Sequence, residues 1–83
     1  MKKREMEIAI EMMVDDVNLY SFNAERAKKR NLPMIEQDYF SRILGMDMAL
    51  SHLGYRLEED GRRVDCGAVI EPIEYMHYKA IKR

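Results

Sequence analysis

Residues 6–27 read MEIAIEMMVDDVNLYSFNAERA, and the spacing of apolar residues within them decides how the chain folds. One set recurs at alternating intervals of four and three residues: Met6, Ile10, Met13, Val17, Tyr20, Ala24 and Ala27. This spacing predicts a helix with one continuous apolar stripe. Since neither Gly nor Pro occurs in residues 3–30, we expect the helix to occupy that whole stretch.

The same helix carries a second apolar stripe, roughly 145° around its axis from the first. Its members are Ile8, Met12, Leu19 and Phe22. A helix that is apolar on two sides is expected to lie between two neighbours. The second neighbour is either the rest of the chain, in a closed monomer, or another chain, in a homodimer or a complex. The predicted interaction residues are therefore Ile10, Met13, Val17 and Tyr20, together with Ile8, Met12, Leu19 and Phe22.

A second helix is predicted over about residues 34–53, antiparallel to the first. Asn31 tolerates the left-handed conformation that follows a helix, and Pro33 cannot continue the first helix. The main apolar face of the second helix comprises Ile35, Tyr39, Ile43, Met46, Leu50 and Leu53, and one flank is widened by Phe40, Leu44 and Met48. Gly54 supplies the C-terminal stop.

A β-hairpin is predicted over about residues 55–66, with Asp60-Gly61 as its two-residue turn. In that register oppositely charged or apolar residues face each other: Glu59 and Arg62, Glu58 and Arg63, Leu57 and Val64, Arg56 and Asp65, Tyr55 and Cys66. Pro72 then begins a short C-terminal helix over about residues 72–82, although that segment also alternates as a strand would. The expected fold is mainly α within the α+β class, as a single domain over residues 1–83.

Composition limits the class of protein. The chain has 83 residues, 47% hydrophobic and 35% charged, with a net charge of −1. These values exclude a disordered chain and argue against a dedicated nucleic-acid binder, which is usually strongly basic. No apolar run is long enough to span a bilayer, and Glu5, Glu7 and Glu11 interrupt the region that would form a secretory signal. With Cys66 as its single cysteine, the protein is expected to be cytoplasmic.

Two clusters suggest alternative functions. Basic residues suited to an acidic protein or to nucleic acid occur at the end of the first helix and in the hairpin, namely Arg26, Lys28, Lys29, Arg30, Arg62 and Arg63. They predict, as one alternative, a small DNA-binding regulator. Glu74 and His77 have the Glu-x-x-His spacing that places two metal ligands on one helix face, and they predict, as a second alternative, a metal-binding protein.

No catalytic or cofactor-binding residue is predicted, because the chain has no Gly-rich phosphate loop, Cys cluster or EF-hand loop. A small-molecule substrate is not expected. The two-sided first helix favours a small non-enzymatic protein that acts by binding another protein, either a second copy of itself or a different chain. A short, Met-rich chain of this kind is similar to the small accessory proteins of phages and mobile elements. That resemblance implies a host protein that is inhibited or redirected.

Overall fold

A computed structural model describes residues 2–65 and 72–83. Two helices are followed by two strands: α1 (Lys3–Lys29), α2 (Pro33–His52), β1 (Tyr55–Asp65) and β2 (Ile73–Lys82). The strands pair antiparallel in one two-stranded sheet. The α+β class and the two long helices are therefore confirmed. Among the described residues, neither helix contains a stretch apolar and long enough to cross a lipid bilayer.

The connection between the helices follows from two residues. Asn31 adopts a left-handed conformation, with φ of 56°. The Leu32 N–H then donates to the Ala27 carbonyl at 2.9 Å, and the Asn31 N–H donates to the Lys28 carbonyl at 3.1 Å. This pair of bonds satisfies carbonyls that the end of a helix would otherwise leave without partners. Pro33 occupies the first turn of α2, where a missing N–H costs nothing.

The predicted turn at Asp60-Gly61 is wrong, because β1 continues straight through it. Glu59 lies opposite Tyr78 and Arg62 lies opposite Met76, so β1 has one residue more than β2 over this interval. That extra residue makes a β-bulge, and Gly61 supplies a positive φ of 80° within it. Tyr55 pairs with Lys82, and its predicted partner Cys66 lies outside the described residues.

The length of the helices explains why the longer strand forms. A turn at Asp60-Gly61 would give two strands of about five residues, each only ~17 Å long. The 11 residues of β1 span ~36 Å at ~3.3 Å per residue. The 27 residues of α1 span ~40 Å at ~1.5 Å per residue. A ribbon formed by the whole of β1 and β2 therefore lies along the helix pair over most of its length.

The predicted C-terminal helix is also wrong, since that segment forms β2. Its β-branched and aromatic residues favour a strand: Ile73, Tyr75, Tyr78 and Ile81. The long β1 also needs a partner for its backbone N–H and C=O groups, and only another strand supplies a row of them. The Arg83 N–H donates to the Gly54 carbonyl at 2.8 Å, which joins the end of β2 to the start of β1.

The core lies where α1 meets α2 and β2. Its buried members are Ile10, Val17, Ser21, Ala24, Ala27, Ile43, Leu50 and Ile73. Val17 and Leu50 have no exposed surface at all. Helix α1 packs on both α2 and β2, whereas α2 touches β1 less extensively. The first helix is thus the central element, between α2 and β2.

Candidate protein-interaction surface

The first apolar stripe of α1 is used inside the chain. Ile10 and Val17 are buried, and Met13 and Tyr20 are half-buried. The Tyr20 ring lies 6.0 Å from the ring of Tyr39 on α2. Half of the predicted interaction residues are therefore buried or half-buried within one chain, and Tyr20 among them contacts α2.

At the surface, Arg42 of α2 covers the contact between Tyr20 and Tyr39. The Arg42 guanidinium lies 5.8 Å from the Tyr20 ring and 5.6 Å from the Tyr39 ring. Its Nε also pairs with the Asp38 carboxylate at 3.2 Å, which raises the pKa of Arg42. This contact holds the guanidinium beside the two tyrosine rings, whose faces attract a cation.

Polar side chains of α1, rather than its second apolar stripe, hold β2. The Asn18 side-chain amide donates to the Tyr78 carbonyl at 3.1 Å, and its oxygen accepts the Tyr78 N–H at 2.7 Å. The Ser21 hydroxyl donates to the Met76 carbonyl at 2.6 Å. These residues were not predicted as functional. The available signal was that two polar residues three apart share one helix face between the apolar stripes.

The second apolar stripe of α1 remains largely at the surface. Ile8, Met12 and Leu19 are exposed, Met12 by 63%. Phe22 is half-buried, and its ring meets the ring of Tyr75 on β2 edge-on at 5.6 Å. An open groove of about 440 Å³ runs beside Leu19, Phe22 and Tyr75. We call Ile8, Met12 and Leu19 the α1 stripe.

The α1 stripe has acidic neighbours. Residues 5–16 contain five carboxylates and no Lys or Arg, and all five are exposed: Glu5, Glu7, Glu11, Asp15 and Asp16. Each residue of a helix turns the chain by 100°. By that rotation, Glu11 and Asp15 lie on the side of the stripe that faces β2, and Asp16 lies on the other side. The α1 stripe therefore has carboxylates on both sides over residues 8–16, and Arg26 lines the groove at its Leu19 end.

Helix α2 exposes a second apolar strip. Phe40, Leu44 and Met48 follow one another at intervals of four residues, and Leu44 and Met48 are each 66% exposed. They were predicted to widen the apolar face of α2 that packs in the core. In the structure Ile43 and Leu50 of the predicted main face are buried, whereas this flank is exposed. The reason is that α1 and β1 cover only one side of α2.

The basic run of α1 lies at its C-terminal end. Lys28, Lys29 and Arg30 are exposed and Arg26 is half-buried. The Lys29 ammonium donates to the Pro72 carbonyl at 3.1 Å, just before β2 begins. Cations at this end of a helix are also stabilised by the helix dipole.

The two arginines of β1 are engaged by carboxylates. The Arg62 Nε pairs with Glu74 at 3.2 Å, and its Nη2 lies 4.0 Å from Glu25 on α1. Arg63 pairs with Asp60 at 3.4 Å. The structure thus brings Arg62 close to α1, but it surrounds both arginines with negative charge.

Glu74 and His77 do not form the predicted metal pair. They lie three residues apart on a strand, so their side chains point to opposite faces of the sheet. Glu74 pairs with Arg62, whereas the His77 Nδ1 lies 3.5 Å from the Asp60 carboxylate. Within residues 2–65 and 72–83, no three His, Cys, Asp or Glu side chains are grouped as metal ligands would be.

No protein-family model, curated protein or solved structure matches this chain at a significant level.

Proposed function

We propose that this protein acts by binding another protein, and that the α1 stripe receives a basic amphipathic helix of that partner. The observation that carries the proposal is the apolar strip of Ile8, Met12 and Leu19, which has an acidic rim of carboxylates on both sides over residues 8–16. Amphipathic helices bind in this way, with apolar residues at helical spacing placed on a complementary apolar surface. Methionine suits such a surface because its flexible side chain adapts to different partners.

The apolar contribution of the α1 stripe alone gives a weak affinity. Full burial of a side chain of this size stabilises a complex by about 1.5–3 kcal/mol, and the three exposed side chains of the stripe still have about half of their surface to bury. The groove beside Leu19 and Phe22 adds room for one anchoring side chain of the partner. Since association itself costs several kcal/mol, that anchor and the attraction between opposite charges are needed for a stable complex.

The charge of the rim selects the kind of partner. Five carboxylates attract a helix that carries Lys or Arg, and they repel the phosphates of nucleic acids and of anionic lipids. Because the rim is exposed to solvent, its attraction is screened within about 8–10 Å at physiological salt. Binding is therefore expected to weaken as the salt concentration rises, but the apolar contacts are expected to persist.

The first test uses a synthetic amphipathic helix of leucine and lysine as the probe, with binding followed through NMR of ¹³C-labelled methionine methyl groups. Met12 and Met48 are a matched pair, since both are solvent-exposed methionines on a helix, by 63% and 66%. We expect the probe to shift the Met12 methyl signal and to leave that of Met48 unchanged. Met12→Glu should weaken binding about tenfold or more, as loss of an anchoring side chain does. Met48→Glu is the control and should change affinity less than about twofold.

A second test addresses the rim. Asp15→Lys reverses one rim charge at an exposed position, so it should weaken binding of the basic probe and flatten the salt dependence. The same variant should unfold at the same urea concentration as the original protein within error. Equal binding by Met12→Glu, Asp15→Lys and the original chain would overturn the assignment of the α1 stripe.

A further inference from the structure

The outer edge of β1 carries backbone groups that the sheet itself does not use. Tyr78 directs its N–H and C=O to Asn18, away from β1. Residues directly opposite each other in an antiparallel ladder share one hydrogen-bonding class, so Glu59, opposite Tyr78, directs its own N–H and C=O to the outer edge. The Leu57 N–H confirms the alternation, because it donates to Asp47 on that edge at 3.1 Å.

The β-bulge turns a second residue to the same edge. Arg62 lies opposite Met76, whose carbonyl accepts the Ser21 hydroxyl on the far side of β2. Arg62 therefore also directs its backbone groups outward. In a regular strand Glu59 and Arg62, three residues apart, would face opposite edges. The extra residue between them removes that mismatch and places both on the outer edge.

This edge is complementary to itself. When two β1 strands run antiparallel about a two-fold axis between Asp60 and Gly61, Glu59 of each copy lies opposite Arg62 of the other. On either side Glu58 meets Arg63, and the next position is Leu57, where Asp47 of α2 already lies on the edge. Apart from Asp60 and Gly61 at the axis, the opposing pairs combine opposite charges, which is an arrangement that stabilises neighbouring strands.

We infer that β1 is an interaction surface for a second copy of this chain, which pairs with it edge to edge in a two-fold dimer. The complementary pairs are those that predicted a hairpin within one chain. That hairpin does not form, and inside the chain Glu59 and Arg62 lie opposite the uncharged Tyr78 and Met76. Inside the chain the arginines have other partners, Glu74 for Arg62 and Asp60 for Arg63, and the second copy adds a directly opposed carboxylate for each. A two-fold axis uses each pair twice and closes the assembly at two copies.

The surrounding residues set the length of this ladder. Asp47 already accepts the Leu57 N–H. The Arg62 carbonyl already accepts Arg63 Nη1 at 3.4 Å and has a second lone pair for a neighbouring strand, so the reciprocal Glu59 and Arg62 pairs supply about four backbone hydrogen bonds at the centre. Arg62 keeps its Nε on Glu74 and can offer Nη1 to Glu59 of the second copy, since a guanidinium carries five N–H donors. Such an interface falls at the small end of the range for protein complexes, so the dimer is expected to dissociate on dilution.

The test measures molar mass by light scattering from about 1 µM to about 1 mM, the range of concentration in which weak complexes form. We expect a monomer at the lowest concentration and a dimer at the highest. Glu59→Arg places two arginines opposite each other at both symmetric positions, and Arg62→Glu places two glutamates there. Each variant alone should weaken the dimer about tenfold or more, as repulsion between like charges at a contact requires.

Mixing the two variants separates pairing from folding. One copy with Glu59→Arg and one with Arg62→Glu restore opposite charges at both positions, so the mixture should form a heterodimer that neither variant forms alone. Restoration by mixing would support the inference even though Arg62→Glu also loses its bond to Glu74. An original chain that stays monomeric at about 1 mM, or a dimer that Glu59→Arg leaves intact, would overturn it.

This inference goes beyond the proposed function and does not depend on it. Met12→Glu alters the α1 stripe but not β1. The variant should therefore still form the dimer in light scattering, but it should bind the basic probe more weakly. Glu59→Arg should weaken the dimer and leave binding of the basic probe unchanged. Failure of either proposal is therefore visible without reference to the other.

Discussion

The two outer edges of the sheet differ in how their backbone N–H and C=O groups find hydrogen-bond partners. The edge of β2 is closed by α1, whose Asn18 and Ser21 side chains take the place of a third strand. On the edge of β1, within the part of the chain that the structure describes, Asp47 binds the Leu57 N–H and the Arg63 guanidinium donates to the Arg62 carbonyl at 3.4 Å, whereas no other element covers the exposed Glu59 and Arg62. An open edge is a site at which other strands can pair, so proteins usually cover or charge it.

This difference separates stability from recognition. Side chains of a buried helix face satisfy the β2 edge, so that edge belongs to the folding unit and cannot accept another chain without loss of the α1 contact. The β1 edge is charged, which discourages unspecific pairing, yet its charges are ordered so that they match an antiparallel copy. In the proposed dimer, one edge of the sheet serves the fold and the other edge binds the second copy.

The largest expected effect is at the closed edge. Asn18→Leu removes both hydrogen bonds to Tyr78 and leaves its N–H and C=O facing an apolar side chain. We expect the free energy of unfolding to fall by about 2–3 kcal/mol, because unsatisfied backbone groups retain their desolvation cost. Urea denaturation measures the loss, and hydrogen exchange of the Tyr78 amide should become faster.

Asn23→Leu is the matched control for that substitution. Asn23 is a half-buried asparagine on the same helix, and among the described residues it makes no hydrogen bond to the sheet. Its replacement should change the free energy of unfolding by less than about 0.5 kcal/mol. Equal losses for the two variants would show that Asn18 contributes only packing, and the contrast between the two edges would then be lost.

A smaller effect is expected for Ser21→Ala. The Ser21 hydroxyl is buried and makes a single bond of 2.6 Å to the Met76 carbonyl, so its removal should cost about 1–1.5 kcal/mol. Ser21→Cys retains a weak donor of similar size and should recover part of the loss. A Ser21→Ala variant as stable as the original chain would mean that the Met76 carbonyl is satisfied without the hydroxyl.

The helices could be predicted because their signals are local. The apolar period of residues 6–27, the left-handed Asn31 and Pro33 all act within a few residues, and the structure confirms each of them. The strands could not be predicted in the same way. Asp60-Gly61 favours a local turn, but the ladder between β1 and β2 joins residues up to 27 apart in sequence, from Tyr55 to Lys82. Its advantage is visible only when the length of α1 is known.

The candidate surface was predicted in part. The α1 stripe was identified from its helical spacing, but the same spacing did not distinguish it from the buried stripe of Ile10 and Val17. That distinction depends on where β2 lies. Because Asn18 and Ser21 bind β2 through its backbone, the sheet covers the polar strip of α1 and leaves Met12 and Leu19 exposed.

At the partly open edge the expected effect is smaller still. Asp47→Ala removes one bond of 3.1 Å to the Leu57 N–H, which water can replace in part, so we expect a loss of about 0.5–1 kcal/mol. Asp47→Asn keeps an acceptor oxygen and serves as the control, with little change in the urea midpoint. A loss from Asp47→Ala as large as that from Asn18→Leu would contradict the difference between the edges.

The smallest effect concerns alkaline pH at the centre of the sheet. Burial raises the pKa of Tyr78 above its ordinary 10.0, and the Glu59 carboxylate raises it further. Below pH 10 the tyrosine is protonated in both the folded and the unfolded chain, and its contribution to stability is fully present. As the pH rises, the unfolded chain loses the proton first, so that contribution falls and is lost once the pH passes the folded pKa.

Tyr78→Phe removes this dependence, so the urea midpoint of the variant should decline less than that of the original chain between pH about 8 and about 11. Glu59→Gln leaves the Tyr78 hydroxyl in place but lowers the pKa of Tyr78 in the folded chain. Its urea midpoint should therefore also decline less than that of the original chain, by a smaller amount than for Tyr78→Phe. Parallel declines for all three proteins would show that Tyr78 is not held in its neutral form between α1 and the edge of β1.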